Sequence, residues 1–302
     1  MTMTSPDSTP PDVPVTPRDE YFFDLNGFLV LKGVLSSGHV AEMNAILTDI
    51  SQLDPPLSQG EWHGCVQAHS YGGAEGTNLQ QIYEAGEPFE RLIDHPGWFA
   101  KVKHFVGGER SFDWHHGPLF IDENFANLRG PGEAIGLHSG GVLGVKRNQF
   151  RYHNRRFQCG QINILMALTD IGPGDGATMV IPASHKSNFE HPDFDKHHMQ
   201  QGEVRSVDDT EGAIEVHLQA GDALLFVDAI SHGSARRVNP GERRIVVYRY
   251  GPSWGNFRHP YRASNALLDR VTTRQRGVAC PQQTIKREPN RIPGTPSPSD
   301  DN

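Results

Sequence analysis

The 302-residue chain has few cysteines, no long apolar run and no excess of positive charge. Its three cysteines, Cys65, Cys159 and Cys280, have neither close pairing nor Cys-x-x-Cys spacing, which excludes a disulfide-rich scaffold and a cysteine-based zinc or redox motif. The longest apolar runs, such as IVVY at 245–248 and ALLFV at 223–227, are strand-sized and far short of a membrane span. The net charge of -8 argues against generic binding of nucleic acid polymers, which requires a basic surface.

Polar segments rich in Pro, Ser and Thr stand at both ends of the chain. They predict disordered tails at 1–18 and 273–302 around one domain at 19–272, because no long linker or fixed repeat divides that stretch. The start matches neither a secretory signal nor a transit peptide, so we expect a cytoplasmic protein with no membrane partner.

The order of predicted elements is helices first and short strands afterwards. A strand-like run at 27–35 precedes a helix with Ser36 or Ser37 as its N-cap, and a second helix is predicted over 88–107, interrupted by Pro96. After Gly107, short β-prone runs alternate with Gly, Pro and Asn turns. This texture predicts an α+β, mainly β fold, with a barrel or sandwich of antiparallel strands.

Two histidines stand where predicted strands meet loops. His138 lies in IGLHSGG, and His232 ends the apolar strand in LLFVDAISHGSARR. Two imidazoles at such places can share one iron ion and leave positions open for a cosubstrate and oxygen. Eleven residues on, Arg243 in GERRIVVYRY can pair bidentately with a carboxylate, as the far end of 2-oxoglutarate requires. Each residue alone is more often structural, and the set in this order favours a functional site.

Three segments carry a family resemblance: FFDLNGFLVLKGVLSS, ALTDIGPGDGATMVIPASHKSNF and GDALLFVDAISHGSARRVNPGERRIVVYRY. Together they resemble the phytanoyl-CoA dioxygenase family of iron(II)/2-oxoglutarate enzymes over roughly residues 20–255. The resemblance implies a double-stranded β-helix (jelly-roll, cupin-like) core, and His138 and His232 as the Fe(II) ligands. It also implies that Arg243 holds the 2-oxoglutarate carboxylate with help from Ser234, and that O2 is consumed.

The chain departs from that family at one ligand. The family motif is His-x-Asp or His-x-Glu, whereas this chain reads His138-Ser139-Gly140, with no acid over 135–149. The empty position can take an anion such as chloride. The motif resembles that of the His-x-Gly halogenases, which implies a halide at the position that Gly140 vacates.

The missing acid is also compatible with three arrangements that need no halide. Water can fill the position, a remote acid such as Asp170 or Asp175 can supply a ligand, or the chain can lack activity. Glu133 precedes the histidine on the wrong side of the strand end.

A basic and aromatic segment at 145–160 follows the metal motif. Arg147, Arg151 and Arg155 share one face if this segment is a strand, and they suit a phosphate, while Tyr152 and His153 suit a planar base. Within the halogenases, the chain therefore resembles those that chlorinate C2' of 2'-deoxyadenosine monophosphate in antibiotic biosynthesis. A solvated hairpin or a contact with a partner subunit accounts for the same pattern.

Polar residues also mark two strands near the motif. Gln161 and Asn163 share a face in GQINILMAL and are candidates to bind 2-oxoglutarate, although such residues are often satisfied internal partners. On the strand of Arg243, alternation predicts Arg249 on the same side and Tyr248 on the opposite side.

The favoured hypothesis is an iron(II)/2-oxoglutarate halogenase that acts on a small molecule, a nucleotide above all, with Fe(II), 2-oxoglutarate, O2 and chloride. The first rival is a hydroxylase of another small metabolite, with water opposite Gly140. The second is a barrel that binds a ligand without turnover. A zinc hydrolase is weaker, because zinc prefers three or four protein ligands.

Overall fold

The computed structural model describes residues 10–70, 76–110, 117–140, 146–197, 207–253, 255 and 262–281. The helices stand mainly at the two ends of the described chain. They are α1 (Pro17–Asn26), α2 (Ser37–Ser51), α3 (Glu87–Glu90), α4 (Phe99–Val106), α5 (Phe194–His197), α6 (Asn265–Arg270) and α7 (Thr273–Ala279). Each helix in these ranges is too short or too polar to cross a membrane.

The strands form antiparallel sheets. They are β1 (Phe28–Leu31), β2 (Trp62–His63), β3 (Val66–Ser70), β4 (Thr77–Gln80), β5 (Phe120–Arg129), β6 (Ile135–His138), β7 (Tyr152–His153), β8 (Arg156–Phe157), β9 (Ile162–Ala167), β10 (Thr178–Val180), β11 (Ile214–Val216), β12 (Ala223–Val227), β13 (His232–Ser234) and β14 (Arg243–Gly251). The large sheet runs β1-β12-β9-β14-β5-β4-β3-β2, the small sheet runs β11-β10-β13-β6, and β7-β8 is a separate hairpin. This layout confirms the predicted α+β, mainly β jelly-roll fold.

Local sequence explains the first helix and its exit into the large sheet. Thr16 and Asp19 form a capping box at the start of α1, and Pro17 occupies the first turn, where a missing N–H costs nothing. The helix ends at Gly27, whose φ of 83° is left-handed. As predicted, Ser36 caps α2 through its side chain.

Strand β14 lies between β9 and β5 at the centre of the large sheet. Tyr248 is fully buried on the outer face, and its hydroxyl donates to the carbonyl of Phe89 at 2.7 Å. Arg243 and Arg249 instead line a cavity on the inner face. The alternation predicted for this strand is therefore confirmed.

The folded unit extends past the boundaries predicted from composition. Helix α1 begins before residue 19, and α7 follows residue 272, with the side chain of Val278 fully buried. Apolar burial of a short helix explains why a polar segment is ordered here. The outer parts of both predicted tails, 1–9 and 282–302, lie outside the described residues.

The three cysteines are free thiols. Cys159 is buried, and burial raises the pKa of its thiol. No disulfide joins these three cysteines in the structure, and their reduced state stays a prediction.

Candidate functional site

The two candidate histidines are direct neighbours across the small sheet. Antiparallel pairing of β6 and β13 sets His138 opposite His232, and their ring centroids are 4.0 Å apart. The Nδ1 atom of His232 lies 2.8 Å from the carbonyl of Ile230, and that of His138 lies 3.3 Å from the carbonyl of Gly136. Carbonyl acceptors at Nδ1 favour the tautomer in which Nε2 carries the lone pair that a metal needs.

The electrostatic surroundings of His138 favour its neutral form, which is the form that binds a metal. Desolvation lowers the pKa of His138 well below its usual value, and the neighbouring His232 lowers it further. A neutral imidazole binds a metal without first losing a proton. Nitrogen donors of this type suit iron(II) among other transition metals, so these residues fit the metal that the sequence predicts.

Both rings face a cavity of about 250 Å³ between the large and small sheets, which we call the histidine cavity. Its lining combines apolar side chains with polar and charged ones: Asn78, Glu123, Phe125, Asn127, Ile135, His138, Arg147, Leu165, Thr178, Phe226, His232, Gly233, Ser234, Arg243, Ile245, Val247 and Arg249. A cavity in which convergent polar groups stand among apolar walls is a usual form of small-molecule site, and this cavity has more polar lining than most.

Arg243 supplies a buried positive charge to this cavity. Its guanidinium donates to the carbonyl of Gly176 and, at 2.7 Å, to Oδ1 of Asn127, which are both neutral acceptors. Its Nε makes no hydrogen bond with the described residues. Burial lowers the pKa of Arg243 to about 9, with further contributions from Arg129 and Arg237. A carboxylate bound here would balance a charge that the neutral partners leave uncompensated, so Arg243 fits the distal carboxylate of 2-oxoglutarate.

Thr178 and Ser234 also line the cavity as Arg243 does, and they are opposite each other on β10 and β13. Hydroxyl groups donate readily to a carboxylate oxygen. The structure thus brings Ser234 to the same cavity as Arg243, and adds Thr178, which sequence reasoning missed.

Gly140 has a backbone that admits glycine and little else. Its φ is +63°, and an ideal Cβ would lie 2.6 Å from the Cβ of Ser231. Its N–H donates to the carbonyl of Ala229 at 3.0 Å. Gly140 borders a second hollow with Ser231 and is absent from the residues that line the histidine cavity. The backbone angle and the close approach of Ser231 therefore require a glycine at this position, whether or not a ligand also occupies the space of the missing side chain.

Acids near the histidines do not complete a metal site within the described ranges. No group of three or more His, Cys, Asp or Glu there is arranged to hold a metal ion. Asp175 pairs with Arg237 at 3.0 Å, which contributes to lowering the pKa of Asp175, and Asp170 accepts the N–H of Ala220 at 2.9 Å. Both remote acids considered from the sequence are engaged away from the cavity.

Asp228 is a buried acid that sequence reasoning missed. It is fully buried, and its Oδ2 lies 3.0 Å from Nε of Arg147. Asn163 donates to its Oδ1 at 3.0 Å, and Ser139 donates to its Oδ2 at 3.4 Å. The signal in the sequence was an isolated acid directly after the apolar strand ALLFV, four residues before His232.

A second ion pair stands on the wall of the large sheet. Glu123 of β5 and Arg249 of β14 are register partners, with Oε2 and Nε 3.3 Å apart, and both line the histidine cavity. Gln80 donates to Oε1 of Glu123 at 3.2 Å. The signal for Glu123 was its place in the strand FIDENFANLR, where alternation puts the polar residues 123, 127 and 129 on one face.

The proposed polar pair, Gln161 just before β9 and Asn163 within it, is absent from the residues that line the cavity. Gln161 is fully buried and donates to Asp122 at 3.1 Å, while Asn163 donates to Asp228. Both amides are internal partners of buried acids, which is the alternative that the sequence left open. Asn163 reaches the site indirectly, through Asp228.

The basic segment is not one strand, which corrects the predicted shared face of its arginines. Arg147 lies in a 3-10 turn and lines the histidine cavity, whereas Arg151 is exposed. Arg155 has a φ of 60°, as Asn154 has one of 51°, and these two residues form the turn between β7 and β8. A turn reverses the chain, so strand alternation does not continue across it.

The remaining residues proposed for a nucleotide base lie on that hairpin. Tyr152 and His153 are exposed and border a separate surface hollow with Arg151. The ring of Tyr152 packs against Phe157, with centroids 4.9 Å apart. The structure therefore brings Arg147 to the cavity and leaves the other four candidates of the segment outside it.

Comparison with known proteins adds family information to this geometry. Residues 23–245 match the family model described as Phytanoyl-CoA dioxygenase (PhyH). The chain is 35% identical to Dioxygenase FUM3 of Gibberella moniliformis over 241 residues, which cover 77% of this chain and 71% of that protein. It is 31% identical to Dioxygenase cdmD of Talaromyces verruculosus over 181 residues, or 59% of this chain and only 50% of cdmD.

A solved structure is similar to this fold. HygX from Streptomyces hygroscopicus, crystallised with nickel and 2-oxoglutarate bound, matches with a TM-score of 0.65 and 24% identity. The match covers 82% of this chain and 91% of HygX. At this identity the likeness concerns the fold, and it agrees with the jelly-roll architecture described above.

Proposed function

This chain belongs to the phytanoyl-CoA dioxygenase family of non-haem iron(II)/2-oxoglutarate-dependent oxygenases, and on that premise we propose that it is a halogenase. It would use Fe(II), 2-oxoglutarate, O2 and chloride to chlorinate an unactivated carbon of a small molecule. The substrate that we favour is a nucleotide such as 2'-deoxyadenosine monophosphate, at C2', in antibiotic biosynthesis.

The observation that carries the proposal is a pair of metal-competent histidines without an acid arranged to share their metal ion in the described part of the chain. His138 and His232 are cross-strand partners, and the described residues offer no third acidic ligand. The motif supplies Gly140 where the family has a carboxylate. An iron ion held in this way has a position that an external anion can occupy.

The cosubstrate has a matching place in the cavity. The distal carboxylate of 2-oxoglutarate would pair with Arg243, and Ser234 and Thr178 would donate to it. When bound, iron(II) with 2-oxoglutarate and O2 supplies the oxidising power to remove a hydrogen atom from an unactivated carbon. The protein residues orient the cosubstrate along the wall formed by β14 and keep bulk water from the buried end.

Arginine side chains support an anionic substrate. Arg147 and Arg249 both line the cavity, and although each is paired with an acid through Nε, the other N–H groups of a guanidinium can donate to a phosphate. Glu123 on the same wall can accept hydrogen bonds from a hydroxyl or amino group of the substrate. A nucleotide offers a phosphate and such donors in one small molecule.

The test is an oxygen-dependent assay of the protein loaded with Fe(II), 2-oxoglutarate, chloride and 2'-deoxyadenosine monophosphate, read by mass spectrometry. We expect a product with the isotope pattern of chlorine, which changes to that of bromine when bromide replaces chloride. His138→Ala is the matched inactive control. Succinate formation with unchanged nucleotide would refute the substrate and leave the cosubstrate chemistry in place.

Hydroxylation of a small metabolite is the second candidate. It is favoured by the names of the two fungal relatives, which are dioxygenases, and by the packing of Gly140 against Ser231. The same assay separates the two, because a hydroxylated product without halogen would establish the second candidate. A ligand-binding barrel without turnover predicts no oxygen-dependent succinate at all.

A further inference from the structure

The buried carboxylate of Asp228 is committed to a network of partners beside the metal motif. A fully desolvated charge is stable only when it is paired and hydrogen-bonded. Arg147 supplies the opposite charge at 3.0 Å, and Asn163 and Ser139 donate hydrogen bonds. Asp228 is therefore the ion-pair partner of Nε of Arg147, and Arg147 also lines the histidine cavity.

The network is attached to the motif itself. Ser139 is the residue between His138 and Gly140, and its left-handed φ of 63° is uncommon for a side chain other than glycine, aspartate or asparagine. The contact of its hydroxyl with Asp228 ties the motif to the same carboxylate that holds Arg147. Arg147 is thus linked through one acid to the segment where the family carboxylate is missing, whereas Arg249 is held by Glu123 on the opposite sheet.

Charge balance indicates what this guanidinium would meet. A divalent cation held by two neutral imidazoles would keep its full double charge until 2-oxoglutarate binds, and one carboxylate of that cosubstrate would remove one unit. In the family the protein carboxylate would remove the second unit, and this chain has Gly140 in its place. The described acids near the histidine end, Asp228 and Glu123, are each engaged by an arginine. A small external anion would restore the balance, and a guanidinium beside it would offset the cost of removing that anion from water.

We propose that Arg147, oriented by Asp228, is the residue that holds a small monovalent anion of the halide type beside His138 and His232. The inference rests on the proposed function and assigns it a further binding residue, with Asp228 as a positioning residue. It leaves Arg249 and Glu123 to the substrate. Binding of the substrate phosphate by Arg147 is the competing assignment, and the experiment separates the two.

The experiment measures anion binding without turnover. The full-length protein is loaded with Co(II) and 2-oxoglutarate in the absence of oxygen, and the visible absorption of the cobalt is followed while chloride is added. We expect a saturable spectral change in the wild type. Arg147→Gln should weaken chloride binding by about 10- to 100-fold, the range that corresponds to one hydrogen bond to a charged group.

Two further variants control for charge and for folding. Arg147→Lys keeps the charge and should lose less chloride affinity than Arg147→Gln does. Arg151→Gln removes an exposed arginine of the hairpin outside the cavity and should bind chloride as the wild type does. Equal Co(II) and 2-oxoglutarate affinities in all variants would establish that each one is folded.

The outcomes distinguish this inference from the proposed function. If Co(II) and 2-oxoglutarate bind and chloride changes nothing, the inference is overturned while the cosubstrate site stands. If Arg147→Gln leaves chloride binding intact and weakens calorimetric binding of 2'-deoxyadenosine monophosphate, Arg147 serves the phosphate and the inference is also overturned. If Co(II) does not bind, the proposed function and the inference fail together.

Discussion

Replacing Gly140 by alanine should destabilise the protein strongly, because the backbone and the packing both require glycine there. A left-handed φ of +63° costs a residue with a Cβ about 1 to 2 kcal/mol. The new Cβ would lie 2.6 Å from the Cβ of Ser231, and such overpacking costs about 1 to 3 kcal/mol. The sum is about 2 to 5 kcal/mol, which predicts a fall in Tm of about 4 to 20 °C for a domain of this size.

A double-mutant cycle separates the two contributions. Ser231→Gly removes the atom nearest to the new Cβ, so Gly140→Ala should cost less in that background than in the wild type. We expect the difference to be about 1 to 3 kcal/mol, which is the overpacking part, while the cost of the left-handed φ persists. Urea denaturation of the four proteins, with unchanged m-values, measures these free energies of unfolding.

The prediction fails if the free energy of unfolding of Gly140→Ala lies within about 0.5 kcal/mol of the wild-type value, which is the usual range for neutral surface changes. It also fails if the effects of Gly140→Ala and Ser231→Gly on that free energy are strictly additive. The same geometry bears on Gly140→Asp, the change that would restore a family-like carboxylate. Its side chain would begin against Ser231, so loss of chlorination in that variant identifies the halide position only if its fold and its Co(II) affinity are retained.

Four further predictions concern the cavity and the hairpin. His138→Ala and His232→Ala should each weaken Co(II) binding by at least about 100-fold, since even hydrogen-bond partners of metal ligands change affinity by about 10- to 100-fold. A near-normal cobalt spectrum in either variant would show that the replaced histidine is not a metal ligand. Arg243→Gln should weaken 2-oxoglutarate binding by about 2 to 5 kcal/mol in calorimetry, the loss typical of a buried charge pair, and an unchanged affinity would place the carboxylate elsewhere. The protonated guanidinium of Arg243 binds the carboxylate, and its pKa is about 9. The affinity for 2-oxoglutarate should therefore be constant below about pH 9 and fall about tenfold per pH unit above it. An affinity that stays constant to about pH 10.5 would contradict this prediction. Arg155→Gly should raise stability by about 0.5 to 1 kcal/mol, because Asn154 and Arg155 both have positive φ and Asn-Gly suits such a turn, and a lower Tm would argue against the turn.

The sequence predicted those parts of the site that depend on local patterns. A histidine at the end of an apolar strand, an arginine that opens the next strand, and alternation along β14 follow from strand geometry alone. His232, Arg243 and Arg249 lie on the cavity, as these local patterns indicated, and Ser234, which the family resemblance implied, lies there too. The N-cap of α2 was equally local, because Ser36 contacts the backbone only three residues away.

The remaining features depend on contacts between distant segments or on a backbone angle. Asp228 and Arg147 meet because a 3-10 turn approaches the loop after β12, and no periodicity encodes that approach. The direction in which a Cβ at Gly140 would point follows from the φ of this residue. Glycine permits that left-handed φ but does not specify it. The regular spacing of the arginines at 147, 151 and 155 resembled one strand face, although a turn at Asn154 breaks it.

Strand β14 also fixes the distance between two residues that would bind opposite ends of the reactants. It hydrogen-bonds to β9 on one side and to β5 on the other, so its residues cannot slide independently. Arg243 and Arg249 are six residues apart on its inner face, or about 20 Å at the usual rise per residue. One rigid strand thus sets the distance between the 2-oxoglutarate carboxylate at Arg243 and the end of the substrate at Arg249. Longer or shorter substrates would have to be accommodated at the Arg249 end, and substitutions there should change substrate choice while the affinity for 2-oxoglutarate stays constant.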